Sequence, residues 1–193
     1  MLRKMASKEK TIILLKMNQR KKTIMLHKIT SFEEIDSRRL MDLYQEGNLE
    51  NAEYFYPEEA LPAAIRKCEA DFLQFLETKF FQREGSEYWI LEAENTWVSA
   101  LRLNRIADNF YYLEALETHP DYRKKGYAVC LLNGVTDDLK QRGPFRLCDS
   151  VRKTNTASVR THQKCGFEIV SESAYDYLNS ETDADSYGMQ YHI

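Results

Sequence analysis

The sequence predicts one mixed α/β domain, in which a mostly antiparallel sheet is flanked by about four helices. Three observations lead to this prediction. Apolar residues recur at helical spacing in two segments between residues 31 and 85. The apolar period changes to two between residues 87 and 118, as expected for an antiparallel meander. After residue 118, helical and strand-like patterns alternate to the end of the chain.

The first 22 residues differ from the rest of the chain in charge. They hold eight Lys or Arg and one Glu, whereas residues 23–193 hold nineteen basic and twenty-nine acidic residues. We therefore expect residues 1–22 to be a basic N-terminal extension and residues 23–193 to be a single domain. A mobile tail, sequence read from too early a start and a basic interaction arm all fit the extension. Because the body is acidic, nucleic acid is not expected as its main ligand.

Residues 23–85 predict one strand and two helices. Thr23–Thr30 has the pattern of a strand, and Ser31-Phe-Glu-Glu34 has the pattern of a capping box that opens a helix. Gly47 can end this helix. Pro62 suits the first turn of a second, long helix, which Gly85 ends.

Residues 48–62 break the helical period and predict a connecting loop. The segment mixes Glu side chains with Tyr54, Phe55 and Tyr56. Such a loop can hold a cationic amine by ion pairing and cation–π contact. It can also simply connect two helices and pack its aromatic rings inward, so both interpretations remain open from the sequence.

The second half of the chain contains six predicted strands and two predicted helices. The strands are expected at Tyr88–Ala93, Trp97–Leu103, Phe110–Thr118, Phe145–Val151, Phe167–Tyr177 and Tyr187–Ile193. A central helix begins near Gly126 and stops at Arg142-Gly143-Pro144. A short helix is expected at Asn155–Lys164 and a polar turn at Asn179–Asp185.

The turn between the strand at 110–118 and the central helix has the features of an anion site. Pro120 should stop the strand, because proline cannot donate to a sheet ladder. Gly126 suits a sharp turn or a close approach of the backbone to a ligand. Backbone N–H groups and the positive end of the helix dipole then converge where Lys124 and Lys125 add charge. A phosphate or pyrophosphate fits such a site, although many similar turns bind nothing.

Two spaced motifs resemble the signatures of the GNAT superfamily of acyl-CoA-dependent N-acyltransferases. The first reads Arg123-Lys-Lys-Gly126-Tyr-Ala128, where the family has Arg or Gln, two residues, Gly, any residue, then Gly or Ala. The second is an Asn at a loop–helix junction, a small residue, usually a Tyr, and a Gly-Phe pair. Here it reads Asn155, Ser158, His162 and Gly166-Phe167, so that His162 stands where the family usually has Tyr. The resemblance covers residues 23–193 and is strongest over residues 112–167.

The resemblance implies a GNAT-like mixed sheet, mostly antiparallel, that is splayed after its fourth strand. It also implies acetyl-CoA as the co-substrate, whose pantetheine pairs with the strand edge that the splay leaves free. The residues implied in cofactor binding are Leu116, Glu117 and Thr118 at the edge, Arg123, Lys124, Lys125, Gly126, Tyr127 and Ala128 in the loop, and Asn155 and Ser158 beyond it. Asn155 can bind the pantetheine, cap its helix, or do both.

Acyl transfer from a thioester to an amine needs a base for the amine and gains from an acid for the leaving thiolate. Family members commonly place a carboxylate base on the fourth strand, usually at the position of Tyr112. Glu114 shares that face of the strand and is the candidate base, unless it only pairs with a neighbouring cation. His162 shares a helix face with Ser158 and Asn155 and is the candidate acid, and the alternative is a surface histidine.

The resemblance therefore implies an N-acetyltransferase that moves the acetyl group of acetyl-CoA to a primary amine by direct attack. The acceptor would be a small molecule or a peptide N-terminus. The alternative is a non-catalytic acyl-CoA-binding or regulatory module on the same fold, because Tyr112 and His162 replace the usual acid–base residues. A monomer or a homodimer is expected.

Composition predicts a cytoplasmic protein with neither a membrane span nor a metal. No apolar run approaches the ~20 residues that a membrane span needs. The run from Thr11 to Leu15 is interrupted by Lys16 and lacks a cleavage site, so it does not predict a signal peptide. The four cysteines have no CxxC or metal-like spacing, which indicates buried thiols in a reducing compartment.

Overall fold

The computed structural model describes the backbone of residues 10–17 and 20–192 and the side chains of residues 23–192. Five α-helices lie in this part of the chain: α1 (Ser37–Leu43), α2 (Gln45–Phe55), α3 (Leu61–Phe75), α4 (Tyr127–Arg142) and α5 (Thr156–Lys164). The strands of the main sheet are β1 (Lys10–Met17), β2 (Arg20–Ile29), β3 (Glu87–Ala93), β4 (Thr96–Ala107), β5 (Phe110–Thr118), β6 (Arg146–Arg152), β7 (Phe167–Ser171) and β10 (Ser186–Tyr191). Two further strands, β8 (Ala174–Asp176) and β9 (Glu181–Asp183), form a separate hairpin.

The main sheet is mixed and mostly antiparallel, as the sequence predicts. Its strand order is β1-β2-β3-β4-β5-β6-β10-β7. Every neighbouring pair is antiparallel except β5 and β6, which are parallel because α4 crosses over between them. That single parallel pair is formed by the fifth and sixth strands in this order and is where the sheet opens.

Both faces of the sheet are covered by helices. β3 is buried along its whole length, because alternate residues face two different layers. Leu91 packs in one cluster with Leu131 of α4, and Ile90 packs in a second cluster with Leu40 of α1. None of the helices in the described part of the chain has both the length and the apolar character that crossing a bilayer requires.

β5 and β6 pair only over the first half of β5. Residues Phe110–Leu113 pair with Arg146–Asp149. Beyond Leu113 the two strands diverge, because β5 continues beside β4 while β6 continues beside β10. The sheet therefore opens after the fourth strand counted from residue 23, which is the predicted position.

The N-terminal part of the sheet differs from the prediction. β2 begins at Arg20 rather than at Thr23, and it pairs with β1, which lies inside the predicted basic extension. The run from Thr11 to Leu15 is apolar and partly β-branched, which suits a strand. Residues 1–9, 18 and 19, and the predicted end of the last strand at Ile193, lie outside the described residues.

The first predicted helix is interrupted at its start. Ile35 and Asp36 have extended backbones, so the predicted capping box forms only a 3-10 turn at Phe32–Glu34. Asp36 caps α1 instead, and its carboxylate accepts from the Arg39 N–H at 3.1 Å. The local cap therefore decides where the helix begins.

The loop predicted over residues 48–62 is mostly helical. Gly47, predicted to end a helix, lies inside α2. α2 buries Asn48 and Ala52 rather than a stripe of large apolar residues, so it has no clear amphipathic period in the sequence. The prediction of a loop here was wrong for that reason.

Two further boundaries differ. The strand predicted over Phe167–Tyr177 is broken after Ser171, whose hydroxyl bonds to the Ser173 carbonyl at 2.6 Å. The polar turn predicted at Asn179–Asp185 contains β9. At the end of α3 the chain continues as a π-helical turn at Leu76–Phe80 before it reaches Gly85.

Candidate active site

The gap between β5 and β6 is shaped by a bulge in β5. Ala115 has a positive φ of 54°, and the β4–β5 register shifts beside it. The Tyr44 hydroxyl donates to the Ala115 carbonyl at 3.0 Å and accepts from the Tyr88 hydroxyl at 2.9 Å. Burial raises the pKa of Tyr44 to about 12, so this hydroxyl remains a donor and holds the bulge in place.

Beyond the bulge, alternate residues of β5 turn their backbone groups towards the gap. The Glu117 carbonyl faces β4, where the Ser99 hydroxyl donates to it at 2.6 Å. The alternation of a strand therefore places the backbone groups of Leu116 and Thr118 on the gap side. The Thr118 N–H donates to the Glu117 carboxylate at 3.0 Å, and the Thr118 carbonyl accepts from Arg123 at 3.2 Å. The backbone of Leu116 thus faces the gap directly.

The loop after β5 gathers backbone N–H groups around a concave surface. Lys124 and Gly126 have positive φ angles of 59° and 83°, and left-handed residues in such a loop curl successive N–H groups around a space that fits an anion. The first hydrogen bond of α4 runs from Cys130 N to Gly126 O at 3.0 Å, so the preceding N–H groups have no partner within the helix. A Cβ on Gly126 would meet no atom within 4 Å, so this space is open.

A cavity of about 540 Å³, the cofactor cavity, runs along this edge and this loop. All but one of the residues predicted to bind the cofactor line it: Leu116, Glu117, Thr118, Arg123, Lys124, Gly126, Tyr127, Ala128, Asn155 and Ser158. Lys125 is the exception, because its ammonium group turns back to the Asp121 carbonyl at 2.6 Å. Asn155 also caps α5, and its side chain accepts from the Ser158 N–H at 3.0 Å.

The guanidinium group of Arg123 spans this cavity. It forms ion pairs with Glu46 of α2 and with Glu117 of β5. Glu46 and Glu50 supply the wall of the cavity that α2 forms. The charge of Arg123 is already balanced by carboxylates, so the attraction of the loop for an anion rests on its backbone N–H groups, on the helix dipole and on Lys124.

A smaller cavity of about 150 Å³, the gap cavity, lies where β5 and β6 separate. It shares Leu116, Asn155 and Ser158 with the cofactor cavity, so the two adjoin. Asp149 of β6 and His162 of α5 form its inner wall. The candidate acid therefore lies at the point where the sheet opens.

His162 is enclosed by protein rather than exposed on the surface of α5. Its relative exposure is 0%, and its Nε2 lies 2.7 Å from Asp149 Oδ2. Its Nδ1 lies 2.9 Å from the Ser158 carbonyl oxygen, which is closer than the Ser158 hydroxyl at 3.4 Å. The Nε2–Asp149 contact is an ion pair without hydrogen-bond geometry, and the adjacent carboxylate favours the charged imidazolium.

The Asp149–His162 pair is held in a low-dielectric setting. Burial lowers the pKa of His162, but the charge of Asp149 and the two acceptors outweigh burial and raise that pKa above 6.5. Burial raises the pKa of Asp149, and the attraction of His162 offsets this only in part. The negative charge of Glu114 acts on Asp149 in the same direction as burial. The two groups therefore depend on each other for their charged forms.

Glu114 is held by two partners on β4. Its Oε1 lies 3.1 Å from Arg102 Nε and accepts from Asn104 Nδ2 at 3.1 Å. The Arg102 guanidinium lies over the Phe75 ring, 5.0 Å from its centroid. Burial raises the pKa of Tyr112 well above its usual range, so the residue at the family's usual base position is un-ionised.

A third cavity of about 780 Å³, the α2–α3 cavity, lies on the other side of the bulge. Its floor includes Tyr44, Arg102 and Ala115, and Ala115 also lines the gap cavity. Its walls come from facing sides of α2 and α3 and include Phe55, Tyr56, Phe72 and Phe75. The segment that was predicted as a loop, and that could hold a cationic amine, thus supplies one wall of this cavity, but as a helix.

Asp149 is the site residue that sequence reasoning missed. The available signal was an acidic residue inside the predicted strand Phe145–Val151, since a buried carboxylate needs a partner. The sequence does not show that His162, on a separate helix, is that partner. Arg102 was missed in the same way, because it lies on a strand and its partner Glu114 is on the next one. Within residues 23–192, no group of three or more His, Cys, Asp and Glu side chains is arranged to hold a metal.

Comparison with known proteins agrees with this geometry. Residues 38–167 match the model of the acetyltransferase (GNAT) family. The ribosomal protein bS18 alanine N-acetyltransferase of Escherichia coli strain K12 is 27% identical over 128 residues, which cover 64% of this chain and 86% of that protein.

Solved structures show the same fold. The PaiA N-acetyltransferase of Thermoplasma acidophilum, in complex with coenzyme A, has a TM-score of 0.62 at 21% identity and covers 88% of this chain and 99% of its own. A chimeric spermidine N-acetyltransferase SpeG, from Vibrio cholerae and hSSAT, has a TM-score of 0.57 at 16% identity and covers 87% of this chain and 94% of its own. Because the family model spans well over half of the chain and the splayed sheet matches these folds, the chain belongs to the GNAT family of N-acetyltransferases.

Proposed function

We propose that the protein transfers the acetyl group of acetyl-CoA directly to a primary amine. The observation that carries this proposal is the meeting of three cavities at the bulge of β5. Leu116 lines both the cofactor cavity and the gap cavity, and Ala115 lines both the gap cavity and the α2–α3 cavity. A thioester in the gap is therefore accessible to an amine from the side opposite to the cofactor.

The cofactor cavity fits coenzyme A in shape and in chemistry. The pantetheine would pair with the backbone of Leu116 and Thr118, and Asn155 and Ser158 would form the opposite wall. The pyrophosphate would accept hydrogen bonds from the N–H groups around Gly126, where the space that a Cβ would fill is open. Binding along Thr118 requires the Glu117 carboxylate and the Arg123 guanidinium to leave its backbone groups.

Direct transfer would use Glu114 and His162 in opposite roles. The nitrogen of the neutral amine attacks the thioester carbonyl carbon, and the C–S bond breaks as the amide forms. Glu114, through a water molecule, takes the proton that the amine loses. His162 gives a proton to the departing thiolate, which requires one of its ring N–H groups to leave the Asp149 carboxylate or the Ser158 carbonyl, and it takes a proton back from solvent after release. Because the conjugate thiol has a pKa of ~8.5 by analogy with cysteine, such a donor assists its departure at neutral pH.

The acceptor is proposed to be a small-molecule amine or a peptide N-terminus. The relative from Escherichia coli is named for an alanine of a ribosomal protein, and the SpeG chimera is named for spermidine, so precedents of both kinds exist. We also propose that the protein works in the cytoplasm, because its four cysteines are buried and free.

Thermal unfolding tests cofactor binding through the loop. A ligand that binds only the folded state at one hundred times its Kd stabilises it by about 2.7 kcal/mol, which is roughly 5–10 °C for a chain of this size. Gly126→Ala places a methyl group in the open space of the loop and should abolish most of the shift produced by acetyl-CoA. Gly143→Ala, at the other end of α4, is the control, because Gly143 also has a positive φ but lies outside the cofactor cavity.

Both substitutions should lower the melting temperature of the free protein, since alanine is strained at a positive φ. Only Gly126→Ala should remove the response to acetyl-CoA. If millimolar acetyl-CoA produces neither a thermal shift nor a heat of binding with the unaltered protein, the assignment of the cofactor cavity is wrong.

A further inference from the structure

The α2–α3 cavity has a lining with one distinctive charge. Among the described residues that line it, Asp71 is the only carboxylate. The only cation is Arg102, which is already paired with Glu114 and covered by the Phe75 ring. An occupant of this cavity therefore meets mostly aromatic surface and one negative charge without a cationic partner among the lining residues.

Asp71 is held in position towards the cavity. It lies on the same face of α3 as Phe75, one helical turn away, which is about 6 Å along the helix. The Tyr56 hydroxyl, from the C-terminal end of α2, donates to Asp71 Oδ2. This bond fixes the orientation of the carboxylate and leaves its other oxygen free to accept. Tyr56 also lines the cavity, and Asp71 is exposed to solvent.

The bulge forms part of the floor of the cavity. Tyr44, at the start of α2, contacts Ala115, whereas Tyr56, at the end of α2, contacts Asp71. The two tyrosines are twelve residues apart, which is about 18 Å along the helix. The Tyr44 ring also lies 5.2 Å from the Phe72 ring, centroid to centroid, and Phe72 follows Asp71 on α3, so Asp71 lies closer to the bulge than that.

We propose that the acceptor is a primary amine that carries a second cation at the far end of an apolar chain. The proposal rests on the proposed function and names its substrate class. The attacking amine lies at Ala115, the apolar chain packs on Phe72 and Phe75, and the second cation pairs with Asp71. An alkylammonium group has a pKa of ~10.4 and is charged at neutral pH, so the pairing is available. The same chemistry is present in a free α,ω-diamine and in a peptide whose third residue is Lys.

Matched amines test the proposal. Release of CoA is measured with hexylamine and with hexamethylenediamine, which differ only in the second amino group, and then with longer pairs of the same kind. The unaltered protein should prefer the diamine by roughly 3–10-fold in kcat/KM, because two equivalent amino groups give a factor of two and an exposed ion pair contributes about 1.4–5-fold more. In Asp71→Asn, this preference should fall towards the factor of two that the two equivalent amino groups give, while the thermal shift produced by acetyl-CoA stays unchanged.

Glu69→Gln is the matched control, because Glu69 is a carboxylate of α3 that does not line the α2–α3 cavity. This variant should keep the preference for the diamine. A loss of preference in both variants would show a general charge effect and would overturn the role of Asp71. A preference of the unaltered protein for hexamethylenediamine over hexylamine that is no greater than twofold would overturn the proposal while leaving acetyl transfer intact.

Two peptides separate the possible sources of the second cation. Ala-Ala-Lys and Ala-Ala-Leu have the same length and the same free α-amine. A preference for the lysine peptide that depends on Asp71, and that exceeds the preference among the diamines, assigns the site to a peptide N-terminus. The reverse order assigns it to a small diamine. If none of these amines is acetylated although acetyl-CoA binds, the proposed substrate class is wrong.

Discussion

Replacing Asp149 with Ala should destabilise the protein by about 3 kcal/mol, because the buried His162 imidazolium loses its partner. The loss is set at the lower end of the range for broken buried ion pairs, since an imidazole can give up its proton. For a chain of this size, it corresponds to a fall in melting temperature of roughly 6–12 °C. Urea unfolding measures the free energy directly.

A double-mutant cycle separates the pair from the cost of a cavity. Asp149→Asn combined with His162→Gln replaces the ion pair by two neutral amides of similar size. The double variant should be more stable than the sum of the two single changes predicts, because neither amide is left as an unpaired buried charge. Additive effects would show that the two side chains do not stabilise each other.

The pair also predicts how stability depends on pH. The pKa of His162 is raised in the folded state, so the stabilisation it provides is complete below about 6.5 and is lost as pH rises through the raised value. The pKa of Asp149 is also raised, so this carboxyl gains its proton earlier than usual on acidification. Asp149→Asn should therefore lower the free energy of unfolding most at pH values between these two pKa values, and less at alkaline pH. A difference in melting temperature that is the same from pH 5 to pH 10 would contradict this account.

The second large effect is expected on catalysis. His162→Phe removes the proposed proton donor and should lower kcat by about 10²–10⁴-fold, the usual range for a general acid or base. The affinity for acetyl-CoA should change little, since His162 lines the gap cavity and not the cofactor cavity. His162→Tyr restores the residue that the family usually has and should keep much of the activity. Equal rates for the Phe variant and the unaltered protein would remove His162 from the mechanism.

Asp149→Asn distinguishes a proton donor from a structural residue at position 162. Without the carboxylate, the pKa of His162 should fall, because burial is then less opposed. The alkaline limb of the kcat profile should therefore move to lower pH. A merely structural His162 would lower the stability in this variant without moving that limb.

Glu114→Gln tests the proposed base. The loss of kcat should be greatest at lower pH, where more of the amine is protonated and needs a base. Because Glu114 is paired with Arg102, the same change also frees that guanidinium. Arg102→Lys is the control, since it keeps the charge and loosens the pair. If Glu114→Gln lowers stability without lowering kcat, Glu114 only serves the ion pair.

Much of this fold can be predicted from the sequence, because its signals are local. The strands at residues 87–118 are apolar runs separated by the turns at Glu94-Asn95 and at Asn109, and Gly126 marks the turn into α4 with a positive φ. α2 is not predicted from the sequence, because its buried residues are small or polar. Its buried face can be recognised only once the helix is seen packed on α3. The ion pairs of the site depend on side chains that the sheet brings together. No local pattern in the sequence therefore predicts that Asp149 lies beside His162.

The most direct test of the account is the fate of a labelled acetyl group. Acetyl-CoA with an isotopic label in the acetyl group is mixed with the protein, first alone and then with hexamethylenediamine. Direct transfer predicts an unlabelled protein, labelled N-acetyl product, equimolar release of CoA, and intersecting lines when initial rates are plotted for both substrates. A protein that becomes labelled by acetyl-CoA alone, with parallel initial-rate lines, would instead show an acetyl-enzyme intermediate and contradict direct attack in the gap.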